Sequence, residues 1–229
     1  MTLDWNEIDT VFLDMDGTLL DLYFDSYFWL THLPKRYAEH HGVDEQQAKE
    51  HIIPKLKEKE GTLEWYCLDH WSEQFQLDLV NMKYEVSHLI NYRPSARALL
   101  ERLKQKNKRL VLATNAHMDV VKLKFEHTDL ESFLDNILCS HDFGFAKEGP
   151  GFWEAVAEVE PFDKDRALFI DDNLNVLRQA RSFGIRHLYA IHQPDSQNPP
   201  KETEEFNAIK DFRDLLPDEE FTSKQKQNL

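Results

Sequence analysis

The stretch TVFLDMDGTLL, residues 10–20, decides the fold. After Thr10, three apolar residues have the character of a strand that is buried on both faces, and they run directly into Asp14. A second acid, Asp16, follows two residues later, and Gly17 then allows the chain to turn sharply. A carboxylate gains nothing from lying at the end of a buried strand, so we expect these two acids to carry out chemistry.

Further apolar runs of the same kind predict four more buried strands. With the first strand at 10–14, they lie at 109–114, 136–140, 167–171 and 187–191. Segments with helical periodicity separate the later strands, and such alternation is typical of right-handed βαβ crossovers. The sequence therefore predicts an α/β fold built on a doubly wound, Rossmann-like parallel sheet.

The first strand stands apart from the others, because about 90 residues separate it from the second. The intervening residues have helical patterns and include no strand candidate of comparable quality. Among them is a stripe at a spacing of four residues, which predicts one continuous helix. Its members are Leu63, Cys67, Trp71 and Phe75. We therefore predict an inserted, all-helical cap domain at 21–92.

The remainder of the chain completes the domain organisation that the sequence predicts. Residues 1–20 and 93–215 are expected to form the α/β core domain on either side of the cap. The pattern at 208–217 predicts a last helix of this core. The polar residues at 216–229 predict a flexible C-terminal tail.

Charge and composition exclude several classes of function. The formal net charge of −15 argues against nucleic acid or an anionic membrane as a partner, because both require clustered Lys and Arg. No apolar stretch is long enough to span a membrane, and the first residues lack the pattern of a signal peptide. The two cysteines, Cys67 and Cys139, are expected to be free thiols in the cytoplasm. Nothing in the composition indicates the oligomeric state.

Polar side chains follow four of the five predicted strands. They are Asp14 and Asp16, Thr114 and Asn115, Lys147, and Asp171 and Asp172. Because the carboxyl ends of parallel strands meet at one edge of a sheet, we expect these groups to converge. Several carboxylates in one place repel each other unless a cation lies among them, and Mg²⁺ is the cation that prefers oxygen ligands. A lysine beside a divalent metal ion indicates a phosphate group to be neutralised.

The two acids of the opening stretch then take different roles. Asp14 ends a rigid strand, so its carboxylate is held in position to attack phosphorus and form an aspartyl-phosphate. In an extended chain a residue two positions later returns to the same side, so Asp16 can reach the leaving oxygen. Asp16 would protonate that oxygen and later deprotonate the attacking water. Thr114 would hold phosphoryl oxygens beside Lys147.

The motifs LDMDGT (13–18), LATN (112–115), Lys147 and FIDD (169–172) resemble, in order, the four motifs of the haloacid dehalogenase superfamily of phosphohydrolases. The resemblance implies Asp14 as the nucleophile, Asp16 as the acid and base, and Mg²⁺ as the cofactor. It also implies that the ion is bound by the Asp14 carboxylate, the Asp16 carbonyl and the acids of the fourth motif. Of those acids, Asp172 is favoured as the direct ligand of the ion, and Asp171 as a residue of its outer coordination shell. The sequence departs from many relatives at Glu148, where they have proline.

A closer resemblance is to the bacterial GMP/IMP-specific 5′-nucleotidases of this superfamily. It is carried by longer phrases that extend into the predicted cap, among them LDMDGTLLDLYFDSYFW, LEWYCLDHWSEQ, VKLKFEHTDL and FGFAKE. This resemblance implies a purine nucleoside monophosphate as the small-molecule substrate. Phe24 and Asp25 lie just beyond the first motif and are candidates for substrate contact, together with Thr114, Asn115 and Lys147.

Three alternatives remain open. The first is a phosphatase or phosphomutase that acts on sugar phosphates with the same scaffold. The second is a dehalogenase that uses the same nucleophile, although Asp16 argues against it because dehalogenation needs neither this acid nor Mg²⁺. The third is a binding protein that has kept the scaffold without turnover, and the presence of every expected catalytic group argues against it.

Overall fold

The computed structural model describes residues 3–216, so the tail predicted at 216–229 lies outside the described residues from 217 onward. The core is a sheet of six strands, all parallel, in the order β3-β2-β1-β4-β5-β6. The strands are β1 (Thr10–Leu13), β2 (Arg109–Thr114), β3 (Asn136–Cys139), β4 (Ala167–Asp171), β5 (His187–Ile191) and β6 (Asn207–Ile209). The five predicted strands are each found within one residue of the predicted bounds.

Residues 23–85 form an all-helical insertion between β1 and β2. Its helices are α1 (Tyr23–Tyr27), α2 (Leu33–His41), α3 (Glu45–Lys59), α4 (Leu63–Tyr66), α5 (Leu68–Phe75) and α6 (Leu79–Glu85), and a π-helical segment, Phe28–His32, joins α1 to α2. Asp44 begins α3 by accepting a hydrogen bond from the backbone N–H of Gln47 at 2.8 Å. Here we call residues 21–92 the insert.

The prediction of one helix through Leu63, Cys67, Trp71 and Phe75 is wrong. Cys67 has an extended backbone, with φ −85° and ψ 109°, and separates α4 from α5. Its sulfur accepts a hydrogen bond from the backbone N–H of His70, so it begins a new helix instead of continuing the old one. Trp71 and Phe75 are nevertheless buried as the stripe predicted.

The chain leaves the sheet and returns to it along adjacent paths. Leu20 and Tyr92 form an antiparallel bridge, and the backbone N–H of Asp21 donates to the carbonyl of Asn91 at 2.9 Å. The N–H of Arg93 donates to the carbonyl of Leu19, also at 2.9 Å. These contacts lie where the sequence predicts the boundaries of the cap, at 20/21 and 92/93. The division into independent domains stays a prediction.

Successive residues of the central strands bury their side chains on opposite faces of the sheet. Val11 and Leu13 belong to one apolar cluster, whereas Phe12 belongs to another. The first face is covered by α7 (Ala96–Gln105) and α8 (Met118–His127). After a short helix α9 (Ser140–Phe143), the second face is covered by α10 (Phe152–Val159) and α11 (Leu174–Phe183). Helices on both faces make this a doubly wound α/β fold, as predicted.

The helix predicted at 208–217 is also wrong. Residues 207–209 instead form β6, which pairs parallel with β5 and was not predicted, and a 3₁₀ turn follows at Phe212–Leu215. Ile209 and Phe212 are both buried in the core. Hydrogen bonding to the open edge of β5 therefore overrides the local helical pattern.

Two expectations from composition can be compared with this structure. Both cysteines are free thiols, and Cys139 is buried. Within residues 3–216, no helix combines the length and apolar character needed to cross a membrane.

Candidate active site

The two neighbouring strands β1 and β4 bring the candidate site together. The chain proceeds outward from β1 in both directions, so the gap between these strands is the switch point at which α/β sheets bind ligands. Leu13 pairs with Ile170, and the backbone N–H of Asp14 donates to the Ile170 carbonyl at 3.0 Å. This register sets Asp14 beside Asp171, the last residue of β4.

Three carboxylates meet at this edge of the sheet. Asp14, Asp171 and Asp172 each offer one oxygen atom, and these oxygens lie within 4.8 Å of one another. Burial raises the pKa of each carboxyl group to about 6, although nearby ammonium groups, Lys147 for the first two and Lys201 for Asp172, partly oppose the rise. The group is therefore short of positive charge and is able to hold a cation.

Lys147 reaches into this cluster from the loop after α9. Its Nζ atom lies 2.6 Å from Oδ1 of Asp14 and 2.7 Å from Oδ2 of Asp171, and it also donates to the carbonyl of Ala113 at 3.0 Å. Burial lowers the pKa of this amine, but the two carboxylates outweigh burial and raise it. Lys147 therefore remains a buried ammonium group at neutral pH.

Asp16 has a different partner from the other acids. Its Oδ1 accepts a hydrogen bond from Nζ of Lys124, on α8, and the same Nζ atom lies 2.6 Å from Oδ2 of Asp25 in the insert. The other carboxylate oxygen of Asp25 accepts from Lys83 at 2.7 Å. Burial raises the pKa of Asp16 to about 6, while Lys124 acts in the opposite direction.

The turn that follows Asp16 depends on Gly17. Its φ angle is +80°, in the left-handed region that favours glycine. A Cβ atom there would lie 2.9 Å from Cγ of Asp172 and 3.0 Å from Cβ of Pro194. Gly17 thus allows the loop after β1 to approach the loop after β4 closely.

Thr114 and Asn115 lie at the end of β2, as predicted, but they contact different groups. The hydroxyl oxygen of Thr114 accepts a hydrogen bond from the N–H of Ala116 at 3.0 Å, and Thr114 lines the cavity. The Asn115 amide accepts from the N–H of Lys147 at 2.9 Å and donates to Glu148 at 2.8 Å. Asn115 therefore holds the lysine loop in position. It also lines the cavity, and its direct contact with substrate stays a prediction.

Glu148 is the residue at which the sequence departs from many relatives, and it connects three parts of the chain. Besides Asn115, its carboxylate accepts hydrogen bonds from the hydroxyl of Tyr66 in the insert and from Asn173 at the start of α11. Burial and the neighbouring carboxylate raise the pKa of Tyr66. The Tyr66 hydroxyl therefore remains a hydrogen-bond donor.

Of the two predicted contacts in α1, only Asp25 lines the cavity. Phe24 is 1% exposed, and its ring packs against the Nζ atoms of Lys83 and Lys124, 4.8 and 4.9 Å from the ring centre. The expectation that Phe24 contacts substrate is therefore not supported, because its ring is covered by these side chains.

A cavity of about 850 Å³ lies between the sheet edge and the insert. Asp14, Asp16, Lys147, Asp171 and Asp172 form its floor. The insert contributes a mostly apolar wall, which includes Trp29, Leu30, Ile53, Leu56 and Trp65. A volume of this size is typical of sites for small molecules, and it is large enough for a nucleotide.

A family model for haloacid dehalogenase-like hydrolases matches residues 8–184, which hold every strand-end residue described above. The chain belongs to this family. The family membership confirms that it is an enzyme, a hydrolase, and the α/β fold with a helical insertion is confirmed as well.

Relatives of this hydrolase extend the comparison. GMP/IMP nucleotidase YrfG of Escherichia coli (strain K12) is 41% identical over 217 residues, which cover 95% of this chain and 98% of that protein. A phosphorylated carbohydrates phosphatase of Thermotoga maritima is 26% identical over 191 residues, with 80% and 85% covered. Both names support a phosphomonoester hydrolase. The crystal structure of a HAD phosphatase from Thermococcus onnurineus superposes with a TM-score of 0.77 at 19% identity, covering 91% of this chain and 96% of that one, which shows the shared fold.

Several residues that shape this site were not predicted from the sequence. They are Lys83, Lys124, Glu148, Tyr66 and Lys201. For two of them the sequence does contain a signal. Lys124 follows Val120 by four residues and Lys83 follows Leu79 by four, so each lysine lies on the buried stripe of its helix. A lysine on a core-facing stripe needs a buried anionic partner.

Proposed function

We propose that this hydrolase is a Mg²⁺-dependent phosphatase that cleaves small phosphomonoesters through an aspartyl-phosphate. A purine nucleoside 5′-monophosphate, GMP or IMP, is the proposed substrate. The observation that carries the proposal is the position of Asp14 at the switch point of the sheet, 2.6 Å from the ammonium of Lys147 and within the cluster of three carboxylates.

The cluster fits Mg²⁺ in its chemistry. It offers carboxylate oxygens, the ligands that Mg²⁺ prefers, and Asp14 and Asp171 are buried beside the half-buried Asp172 with too little compensating charge. Both oxygens of Asp171 already accept hydrogen bonds, from Lys147 at 2.7 Å and from the N–H of Asn173 at 2.8 Å. Asp14, Asp172 and the carbonyl of Asp16 are therefore the proposed direct ligands, and Asp171 is a residue of the outer shell. When bound, the ion would offset the charge of the phosphoryl oxygens.

The proposed reaction has two steps at phosphorus. In the first, an oxygen of Asp14 attacks and the bond to the ester oxygen breaks, while Asp16 gives its proton to the departing oxygen. In the second, Asp16 takes a proton from water, the water oxygen attacks phosphorus, and the bond to Asp14 breaks. Phosphate leaves, and both aspartates return to their starting state.

Other groups at the edge of the sheet would hold the phosphoryl group. Lys147 supplies a fixed positive charge, and the Thr114 hydroxyl, which accepts from Ala116, is free to donate its hydrogen to a phosphoryl oxygen. Asn115 acts through the Lys147–Glu148 loop. These preorganised donors would favour the charge that develops in the transition state.

The nucleotide preference is supported by the relative and by the wall of the cavity. YrfG, named a GMP/IMP nucleotidase, is similar to this chain along nearly its full length, including the insert. Trp29 and Trp65 in the cavity wall offer flat apolar surfaces of the kind that bind a purine ring. We propose that residues 21–92 act as a cap domain that closes over the substrate, with 1–20 and 93–215 as the core.

The proposed partner is accordingly a small molecule. Asp and Glu outnumber Lys and Arg by 42 to 27, so we expect no nucleic acid or membrane partner. A cytoplasmic location also stays a prediction from the sequence.

Phosphate release from a substrate panel tests the proposal. The panel contains GMP, IMP, AMP, ribose 5-phosphate and glucose 6-phosphate, each with Mg²⁺ and with EDTA. We expect the highest kcat/KM for GMP and IMP and no turnover with EDTA. A preference for the sugar phosphates would favour the alternative that the Thermotoga maritima relative represents.

A further inference from the structure

Two lysines are buried beside the proposed acid and base, and the reaction described above does not use them. Lys124 is 1% exposed and Lys83 is 2% exposed. Transferring an ammonium group out of water costs several kcal/mol unless it is fully paired. Apolar residues at these two positions would fill the same helix stripes without that cost. The lysines therefore call for a role beyond packing.

The two lysines and two aspartates form one continuous chain of ion pairs. It runs from Asp16 to Lys124, from Lys124 to Asp25 at 2.6 Å, and from Asp25 to Lys83 at 2.7 Å. When Asp16 is ionised, before it takes up the proton that it later donates, the two positive and two negative groups of this ion-pair chain balance, which makes their burial tolerable. We call these four residues the Asp16–Lys83 chain.

The chain crosses from the core to the insert. Asp16 and Lys124 belong to the core, whereas Asp25 lies on α1 and Lys83 on α6. Aromatic rings fix the far end, since Nζ of Lys83 lies 4.4 Å from the ring centre of Phe28 and 4.8 Å from that of Phe24. The position of Asp25, and through it that of Lys124, therefore depends on how the insert packs on the core.

We infer that Lys124 is a positioning residue for the Asp16 carboxylate, and that Asp25 and Lys83 extend this control to the insert. The inference rests on the proposed function, because it assigns Asp16 the proton transfer to the leaving oxygen. Lys124 holds Oδ1 of Asp16, and the Asp16 side chain lines the cavity. If the insert moves away from the core, Asp25 leaves Lys124, and the Asp16 carboxylate loses its fixed position. With the insert closed over a substrate, the contact is made and the carboxylate is held.

The nature of the leaving group separates this role from a structural one. The nucleoside alkoxide is a poor leaving group and needs a proton from Asp16. p-Nitrophenolate is a good leaving group and departs without one. The ratio kcat/KM reports steps up to departure of the leaving group, so it measures proton donation and excludes the later attack by water. A residue that positions Asp16 should therefore affect kcat/KM for GMP and p-nitrophenyl phosphate unequally.

The test replaces Lys124 with methionine, which has a similar shape and no charge. We expect Lys124→Met to lower kcat/KM for GMP by about 10²-fold, the scale associated with misplacing a reacting group, and to change that for p-nitrophenyl phosphate by less than about threefold. Lys122→Met is the matched control, because Lys122 lies on the same helix with its side chain 64% exposed. We expect both of its values to match those of the wild type.

Equal losses with the two substrates, or no loss with either, would overturn the inference. Melting temperatures measured on each variant establish that it is folded. If Lys124→Met does not fold, Asp25→Asn replaces it, since this change keeps both ammonium groups and removes the carboxylate between them. The same selective loss is expected from Asp25→Asn, and equal losses would again overturn the inference. Wild-type turnover of GMP tests the proposed function separately, and if it is absent, the alkyl phosphate that the panel selects takes the place of GMP.

Discussion

The Nζ atom of Lys147 lies 2.6 Å from Oδ1 of Asp14, and the same atom lies 2.7 Å from Oδ2 of Asp171. One ammonium group thus joins the ends of β1 and β4 to the loop that follows α9. All three side chains are buried, so solvent screens these contacts only weakly. The proposed nucleophile is oriented by this pair before any substrate binds.

Removing this ammonium should affect both stability and turnover. Lys147→Met leaves two buried carboxylates without their partner, which typically costs about 3–5 kcal/mol in the free energy of unfolding. We expect KM to rise and kcat to fall together, because the ammonium group binds the phosphoryl group in the ground state and stabilises it more strongly in the transition state. Denaturant titration and steady-state kinetics measure the two effects, with Lys122→Met as the exposed control. An unchanged kcat and KM would show that Lys147 has no part in the reaction.

Metal affinity should distinguish the two acids after β4. Asp171 is engaged by Lys147 and by the N–H of Asn173, so Asp171→Asn should weaken Mg²⁺ binding by about tenfold, as loss of an outer-shell group does. Asp172→Asn removes a proposed direct ligand and should weaken it by a larger factor. Isothermal titration of each variant with Mg²⁺ gives both constants. The reverse order would exchange the assignment of the two residues.

Gly17 should be required for the close approach of two loops. Gly17→Ala places a Cβ atom 2.9 Å from Cγ of Asp172 in addition to straining a left-handed backbone. Gly144→Ala is the matched control, because Gly144 has φ +74° and nothing within 4 Å of its Cβ position. We expect the control to lose only the strain energy, about 1–2 kcal/mol, at unchanged activity.

In Gly17→Ala we expect the same strain and also a loss of about 10²-fold in kcat/KM, because Asp172 must move away from its place. Denaturant titration and phosphate release measure the two quantities. Equal kinetics of the two alanine variants would show that the contact between Gly17 and Asp172 has no part in the reaction.

The hydrogen bond from Tyr66 to Glu148 should link the insert to the core. Tyr66→Phe and Glu148→Gln should each lower the free energy of unfolding, and a double-mutant cycle should give a coupling energy of about 1.5–3 kcal/mol, the scale for hydrogen bonds to charged groups. Tyr84 provides the comparison, since its hydroxyl also joins the insert to a core glutamate, Glu126, but at an exposed position. We expect Tyr84→Phe to change stability by less than about 0.5 kcal/mol. A coupling near zero for Tyr66 and Glu148 would contradict this role.

The sequence was sufficient to locate the strand ends and their polar groups. Buried parallel strands have continuous apolar runs, and the groups that follow such runs must meet at one edge of the sheet, so Asp14, Lys147 and Asp171 could be brought together without coordinates. β6 could not be predicted in this way. Its three residues become a strand only because β5 offers an open edge.

The partners of the proposed acid could not be predicted for a related reason. Asp16 and Lys124 are 108 residues apart, and Lys124 and Asp25 are 99 apart, so no local pattern connects them. The first contact depends on how α8 packs beside the loop after β1, and the second on how the insert packs against α8, and both are properties of the tertiary structure. The break between α4 and α5 at Cys67 is similar. The neighbouring residue Tyr66 donates a hydrogen bond to Glu148, 82 residues away, and no local pattern shows this contact.

The most direct test of the central claim is to trap the covalent intermediate on Asp14. The enzyme is mixed with GMP and Mg²⁺, quenched in acid within milliseconds, and digested for mass spectrometry. We predict that the peptide containing Asp14 gains the mass of one phosphoryl group, and that this gain is absent with EDTA and in Asp14→Asn, which should also release no phosphate. Full-rate phosphate release in EDTA, with no phosphorylated Asp14 peptide at any quench time, would contradict the account.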